Sequence, residues 1–407
     1  MRNVKQILIK KNNDIFEIIN DIILIVFMIS IYIFSTNLSY NFEYKIISIL
    51  FILITIFKKI IKRQKFIFGF YTILMLMFCF ISTISLLWST QPYIDYVALM
   101  FFISIITISI INYTINNEKL ELVLMSMILS GVILSIFMLT KVGIMNLINT
   151  RFVLDGYNSN DVGLKLSISC LIAIYFIMNK KKIIFSSFSL IIILPFIIFT
   201  GSKKAIILLV VGTLIYLILN GDNILKKIKF IFLGIIIIII LFYLMFNVKF
   251  IYLQIGSRFE TLLNQLFYGS GGSHSDVERM EFIKSGIKLA RCNPMFGYGI
   301  NNFKEVIGQY MSAYTYSHNN YIEILIGLGS VGFILYYSTY YYTIEKLFKL
   351  YRLNHSTYSF PIMIIIMMLI LEVGLVSYDS VFYPMLISLC YCISNINCYA
   401  YKDNRDR

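Results

Sequence analysis

The chain has 407 residues, of which 59% are apolar and only 14% charged, and its mean hydropathy is +0.81. Soluble domains are about 45–50% apolar and about 25% charged, so a soluble globular enzyme, a disordered chain and a disulfide-stapled secreted domain are excluded, and five prolines exclude a Pro-rich chain. The net charge of +14 would suggest nucleic acid in a soluble protein. In a membrane protein it marks the loops that stay in the cytoplasm, and no nucleic-acid partner is expected.

A spanning helix needs about 20 mostly apolar residues. Twelve such segments are legible, at about 18–35, 44–57, 66–87, 94–113, 120–139, 162–178, 183–200, 205–219, 230–246, 319–342, 360–376 and 382–397. The expected fold is all-α: a polytopic integral membrane helical bundle of about 12 transmembrane helices with a long, partly helical extracytoplasmic loop. The first segment follows Lys10 and Lys11 without an A-x-A-like cleavage site, so it reads as a retained anchor. The six cysteines form no CxxC and read as small apolar fillers.

With the N-terminus in the cytoplasm, the inner loops hold twice as many Lys and Arg as the outer ones. Most of the outer cations lie in a single long loop, where the charge rule is weak, so the short loops decide. Both termini are then cytoplasmic. Lys45 and Lys165 read as helix-end residues. The long outer loop, 247–317, is about seventy residues, a length that usually signals function. Within it, Asp276 to Arg291 reads as an amphipathic helix lying on the outer membrane surface. Val277, Met280, Ile283, Ile287 and Ala290 make its apolar stripe, and Lys284, Lys288 and Arg291 its basic one. Gly269 to Ser273 reads as a hinge.

Several positions carry chemistry. Lys203 and Lys204 crowd a short outer turn, against the charge rule. They are either a headgroup anchor whose lysines snorkel or an anion site. Arg151, Arg258 and Arg279 are also outer by topology, and the five cations together would neutralise a diphosphate. Asp276-Val277-Glu278 is the outer D-x-E that would suit Mg²⁺ with phosphates, a spacing common by chance. No metal or other cofactor is expected. Gly327 to Gly332 matches G-x-G-x-x-G but lies in an apolar helix, so it reads as a close-packing face and not a nucleotide loop.

His318 opens the tenth segment at the outer surface, near water yet shielded. An imidazole there suits a general base for a hydroxyl, although a lone His at a helix start is more often structural. Asn319 and Glu323, at i and i+4, are expected to support one another. His274 is a competing base, poorly placed in the Gly-Ser hinge, and His355 is cytoplasmic. Glu372 reads as an acid within the eleventh helix, pairing with a polar face of the tenth or with nearby backbone.

Three segments in order resemble the O-antigen polymerase/ligase family. Thr200-Gly201-Ser202-Lys203-Lys204-Ala205 is similar to its T-G-S-R-x-A helix start. Asn293-Pro294-Met295-Phe296-Gly297-Tyr298-Gly299, with Phe303, resembles its N-P-[LM]-F-G-x-G-x-x-x-F segment. Ser317-His318-Asn319-Asn320-Tyr321-Ile322-Glu323, with Gly329-Ser330-Val331-Gly332-Phe333, resembles its H-N-x-Y-[LI]-E…G-x-x-G-F helix. The resemblance covers about 195–345. It divides the chain into N-terminal helices (1–199), a polymerase/ligase-like region (200–345) and C-terminal helices with a tail (346–407).

The resemblance implies a glycosyltransferase of the cytoplasmic membrane. Such an enzyme takes a glycan from undecaprenyl diphosphate and joins it to an acceptor hydroxyl outside the cytoplasm, without metal or nucleotide sugar. It implies His318 as the base, with Arg258 and Arg279 on the diphosphate. Lys203 stands where the family has arginine, which keeps charge but loses the bidentate fork. Arg151 and Lys204 are further candidate contacts. The expected activity is polymerisation of repeat units for a capsule or O-antigen, and the alternative is ligation to another acceptor. Membrane lipid, a flippase and a chain-length regulator are the expected partners. The rival from another class is a flippase of the same units, against which stand the large outer loop and the scarcity of polar residues near the midplane.

Overall fold

The computed structural model describes residues 2–35, 41–114, 116–221, 223–268, 274–311 and 313–403; within these, the side chains of 2–14, 41, 262, 265, 266, 268, 274–276 and 396–403 lie outside the description. The Gly269 to Ser273 hinge therefore lies outside the described residues, as do the side chains of His274 and Asp276.

Among the described residues every regular element is helical. In chain order they are α1 (Arg2–Phe34), α2 (Asn41–Ile61), α3 (Phe70–Ile84), α4 (Ile94–Tyr113), α5 (Asn117–Val142), α6 (Ile144–Asn149), α7 (Ser159–Met178), α8 (Ile183–Phe199), α9 (Lys203–Asn220), α10 (Ile224–Asn247), α11 (Lys249–Ile251), α12 (Ser257–Tyr268), α13 (His274–Ala290), α14 (Phe303–Met311), α15 (Asn320–Tyr351), α16 (His355–Leu371) and α17 (Phe382–Asp403). Eight are long and apolar enough to cross a membrane, and α8, α16 and the apolar part of α17 are shorter. Each of the twelve expected segments coincides with a helix, and the chain is a polytopic helical membrane protein. Backbone groups cannot be left unpaired in hydrocarbon, so helices are the form such runs must take.

Contacts divide the chain into two units. The first comprises residues 1–67, 108–213 and 395–407. Within it α1 packs on α2 and α5, and α7 packs on α5 and α8. The α5–α7 contact is close because the residues are small: a Cβ on Gly131 would stand 2.5 Å from Ser169 Oγ. Lipid tails give no hydrophobic drive between helices, so close van der Waals approach and polar bonds supply the association. Ser169 Oγ donates to Met127 O at 2.8 Å across that seam.

Lys165, read from the sequence as a helix-end residue, lies in the second turn of α7. It is fully buried, pairs with Asp161 at 2.9 Å, and donates to Ile31 O at 3.0 Å and Ser35 Oγ at 2.9 Å. A buried ammonium persists only with such partners, and here it also meets the C-terminal carbonyls of α1, where positive charge is favoured.

The second unit comprises residues 68–107 and 214–394, and α15 is its axis. α15 packs against α3, α16, α13 and α14. Phe282 and Ala290 of α13, Phe303 and Ile307 of α14, and Ile322 and Ile326 of α15 form one buried cluster. The helix expected from Asp276 to Arg291 is present as α13, and it is docked on α15. α13 docks on α15 through Phe282 and Gly286, where a Cβ would stand 2.5 Å from Ile322; of the expected stripe, Ala290 and Ile283 join this cluster, while Val277, Met280 and Ile287 remain exposed. Phe282, which lies beside Ile283 in the chain, is the large side chain that this docking buries.

Candidate active site

The Ser317-His318-Asn319-Asn320 turn is held by bonds to α15 and to the chain after α16. Asn319 is the N-cap of α15, its Oδ1 accepting from Ile322 N at 3.0 Å. Ser317 Oγ donates to Asn319 O at 2.8 Å, and Ser317 N donates to Glu323 Oε2, also at 2.8 Å. Glu323 therefore supports the turn through the backbone of Ser317, not through the side chain of Asn319 as the i, i+4 spacing suggested. A carboxylate at a helix start is favoured by the axial dipole and by orphan N–H groups. The consequence for His318 is a left-handed backbone, φ 58°, flanked by buried Ser317 and Asn319. Its half-buried ring lies 4.0 Å from that of Tyr316, centroid to centroid.

Tyr316 links His318 to charge. Partial burial raises its phenol, the Arg279 cation pulls it down, and Asp379 and Glu323 push it up. Arg279, in α13, is thus within electrostatic reach of Tyr316. Asp379 also lies within electrostatic reach of Tyr96 and Tyr378. It is half-buried between α16 and α17, and desolvation pushes its carboxyl up to about 6. Sequence reading missed Asp379. Its neighbours in the chain carry no motif, and its place depends on how the 372–379 turn is held.

Glu372 holds that turn. α16 ends at Leu371, so Glu372 caps the helix and does not lie within it. The helix stops because Asn319 and Asn320 capture the next carbonyls: Asn320 N donates to Glu372 O at 2.9 Å and Leu375 O at 3.0 Å, and Asn319 Nδ2 donates to Val373 O at 3.0 Å. The fully buried Glu372 carboxylate accepts from Tyr340 at 2.6 Å, Tyr337 at 2.9 Å and Ser377. Of the two pairings open from sequence, the polar face of α15 is the one formed. Asn320 completes the circuit, its Oδ1 accepting from Ser377 N and Tyr378 N and its Nδ2 donating to Tyr337. Glu372→Leu strips three hydroxyls of their acceptor, each a loss of about 1–3 kcal/mol. It is expected to lower the thermal midpoint of the purified protein sharply, whereas Glu372→Gln keeps part of the network and lowers it less. Equal midpoints for wild type and Glu372→Leu would refute the hub.

The glycine-rich run of α15 is the other correction. It is not a helix–helix packing face. α15 is broken at Gly329, φ 63° and ψ −164°, and the Asn293–Gly299 loop lies in the break. Tyr298 N donates to Ile326 O, Gly299 N to Gly327 O and Ser330 N to Pro294 O, each at 2.8 Å. Broken backbone at membrane depth is tolerated where protein satisfies it, and here the loop does so. The same loop grips the α3–α4 connection: Asn302 exchanges bonds with the Gln91 backbone at 2.8 and 2.9 Å, and Ile300 N donates to Ser85 Oγ at 3.1 Å. Two of the sequence motifs are therefore one structure, joined backbone to backbone.

The third motif lies in the first unit. Ser202 caps the start of α9, accepting from Ala205 N at 3.3 Å, so Lys203 and Lys204 stand on its first turn. The turn is buried at Thr200 and Ser202. Arg151 is fastened to it: its Nε donates to Thr200 O at 2.7 Å and its Nη2 to Asn160 Oδ1 at 3.3 Å. Arg151, Lys203 and Lys204 are thus one cationic group at the positive end of a helix. Arg258 is half-buried in the first turn of α12, in the second unit. No group of three or more His, Cys, Asp or Glu gathers among the described residues.

Residues 188–337 match the family model described as O-antigen ligase. That segment is an O-antigen ligase family domain. Its bounds run from within α8 to within α15, so it takes in the Lys203–Lys204 turn, Arg258, Arg279, the 293–299 loop and the histidine turn. The match supports a membrane enzyme of lipid-linked glycan transfer in surface-polysaccharide synthesis. The search of curated proteins finds no match. Outside the family domain lie Arg151, Glu372 and Asp379, together with the α3–α4 connection. Of these, sequence reading found Arg151 as a cation in an outer loop and Glu372 as an acid in an apolar segment.

Proposed function

We propose that the chain polymerises undecaprenyl-diphosphate-linked repeat units into a surface polysaccharide on the outer side of the cytoplasmic membrane. The observation that carries the reading is the histidine turn, a half-buried imidazole on a backbone pinned at both flanks, with Tyr316, Arg279 and Asp379 about it. The acceptor hydroxyl oxygen attacks the anomeric carbon of the donor sugar, and His318 takes the hydroxyl proton. The bond from that carbon to the diphosphate oxygen breaks, and the electron pair leaves with the lipid diphosphate. Arg279 and Arg258 are the proposed counter-charges for the departing oxygen, since fixed cations in a shielded site stabilise charge that develops in the transition state. Lys203, Lys204 and Arg151 are proposed as a further phosphate-holding group. The diphosphate leaving group makes the step favourable, so neither nucleotide nor metal is required. A flippase would supply the substrate, and a chain-length regulator would limit the product.

The family description favours one second reading, transfer of finished polymer to a different acceptor. Deleting the gene and sizing surface and lipid-linked glycans separates the two. Single repeat units on the carrier or the usual acceptor are expected. Full-length polymer stranded on undecaprenyl diphosphate would mean ligation instead, and units trapped on the cytoplasmic face would mean a flippase.

The sidedness has its own test. Cys292 is free and exposed, and Cys79, Cys170, Cys390 and Cys392 are buried. In a Cys398→Ser background, a membrane-impermeant maleimide is expected to label intact spheroplasts through Cys292 alone. Labelling that requires lysis would invert the topology.

A further inference from the structure

Asn301 is held by its neighbours while its own amide is left over. On one side Ile300 N donates to Ser85 Oγ at 3.1 Å. On the other, Asn302 exchanges bonds with the Gln91 backbone, donates from Nδ2 to Ile300 O at 3.0 Å and from its backbone N to Gly299 O at 3.2 Å. Thr90 N donates to Tyr298 O at 3.3 Å, and the Tyr93 hydroxyl donates to Glu305. These bonds clamp the segment to the α3–α4 connection and fix Asn301 in the left-handed region, φ 58°. The residue is 8% exposed, and its buried Nδ2 meets no acceptor among the described residues. A buried amide donor without an acceptor is costly. A non-glycine residue held left-handed against that cost points to a functional site.

The surroundings say what would complete it. Tyr96, at the start of α4, lies within electrostatic reach of Asn301, Asp379 and Glu323. Tyr316, whose ring stands against that of His318, lies within reach of the same two carboxyls and is 45% exposed. Tyr96 and Asp379 are half-buried, so the group is open to a ligand. The rings of Tyr93 and Tyr96 meet edge-on at 6.1 Å and add apolar surface beside the amide. The amide N–H calls for an acceptor, whereas the two carboxyls call for donors and repel an anion. A phosphate meets the first demand and fails the second, and a cation fails the first. A neutral hydroxyl meets both, since its oxygen accepts and its O–H donates. We infer that Asn301 binds and positions a hydroxyl of the incoming acceptor sugar, its Nδ2 donating to the hydroxyl oxygen while the O–H turns to Asp379 or Glu323. The inference rests on the transfer reading for naming that hydroxyl as the acceptor's, but not for the place of the amide.

The test separates binding from transfer. Full-length protein in nanodiscs is titrated with the repeat-unit oligosaccharide, cut from its carrier by mild acid so that it presents hydroxyls but no leaving group. Binding is followed by saturation-transfer NMR, and saturable binding to wild type is expected. Asn301→Gly keeps the left-handed backbone without strain and removes the amide. It is expected to unfold at the wild-type midpoint and to bind about tenfold more weakly, the worth of one hydrogen bond. Asn301→Asp, of the same size and equally tolerant of that backbone, replaces the donor with an acceptor and is expected to bind more weakly still; it carries the test by itself if glycine lowers the midpoint. His318→Asn is expected to bind as wild type while losing transfer. Wild-type binding in both Asn301 variants would make Asn301 a turn residue and overturn the inference. Displacement of the oligosaccharide by inorganic phosphate would make the site an anion site and overturn it as well, and a flat titration of wild type would remove it. Asn301-dependent binding, together with repeat units trapped on the cytoplasmic face of the deletion strain, would sink the transfer reading and leave the hydroxyl site standing.

Discussion

His318→Ala is expected to abolish polymer while the protein remains in the membrane at wild-type level. A positioned base contributes about 10²–10⁴-fold to a proton-transfer step, a loss that leaves no visible polymer. The backbone at His318 has φ 58°, a conformation that asparagine tolerates well, so His318→Asn keeps the turn and removes only the basic imidazole. Both variants are expected to be equally inactive and equally folded. Polymer laddering from intact cells, read beside membrane yield of the tagged protein, checks this. Normal polymer from either variant would remove His318 as the base, and loss of yield in alanine but not asparagine would make its role structural.

Gly329→Ala is expected to be the most damaging single-methyl change in the second unit. Its φ of 63° with ψ −164° belongs to a region essentially reserved for glycine, and forcing another residue there costs about 1–3 kcal/mol. The added Cβ would also stand 2.3 Å from the carbonyl carbon and oxygen of Met295, which is backbone and cannot rotate away. Relief requires the 293–299 loop to leave the break, breaking the bonds from Ser330 N to Pro294 O and from Val331 N to Met295 O. Gly143→Ala is the control. Its φ is 81°, but nothing lies within 4 Å of the added carbon, so it bears conformational strain without collision. Thermal unfolding of the purified variants is expected to show Gly329→Ala far below Gly143→Ala. Similar midpoints would mean that the loop does not lock the broken helix.

Where the sequence could be read, it was read through burial that repeats along one strand of chain. Runs of apolar residues named twelve segments, and each coincides with a helix, because hydrocarbon leaves the backbone no other way to bond itself. The Lys203–Lys204 turn was legible as an oddity, two cations where the charge rule expects few, and it proved to be a capped helix start fastened by Arg151. The sequence around Lys165 gives no sign that Ile31 and Ser35 wait for it across the unit. The stripe on α13 was legible only in part: Ala290 and Ile283 pack as periodicity suggests, but periodicity does not show that Phe282 will find a pocket.

The sequence by itself determined that this protein is a helical membrane protein and where its helices run, and it singled out a histidine at a helix start, an acid in an apolar segment and several cations in the connecting loops. Only the tertiary structure decided that the glycine run is a break in α15 filled by the 293–299 loop. It also decided that Glu372 caps α16 while holding Tyr337 and Tyr340, and that Asp379 lies within electrostatic reach of Tyr316. The division has a physical cause. Transfer to lipid acts on each segment alone and is written in composition. Backbone capture between residues 30 or 50 apart depends on which carbonyls a folded neighbour leaves unsatisfied.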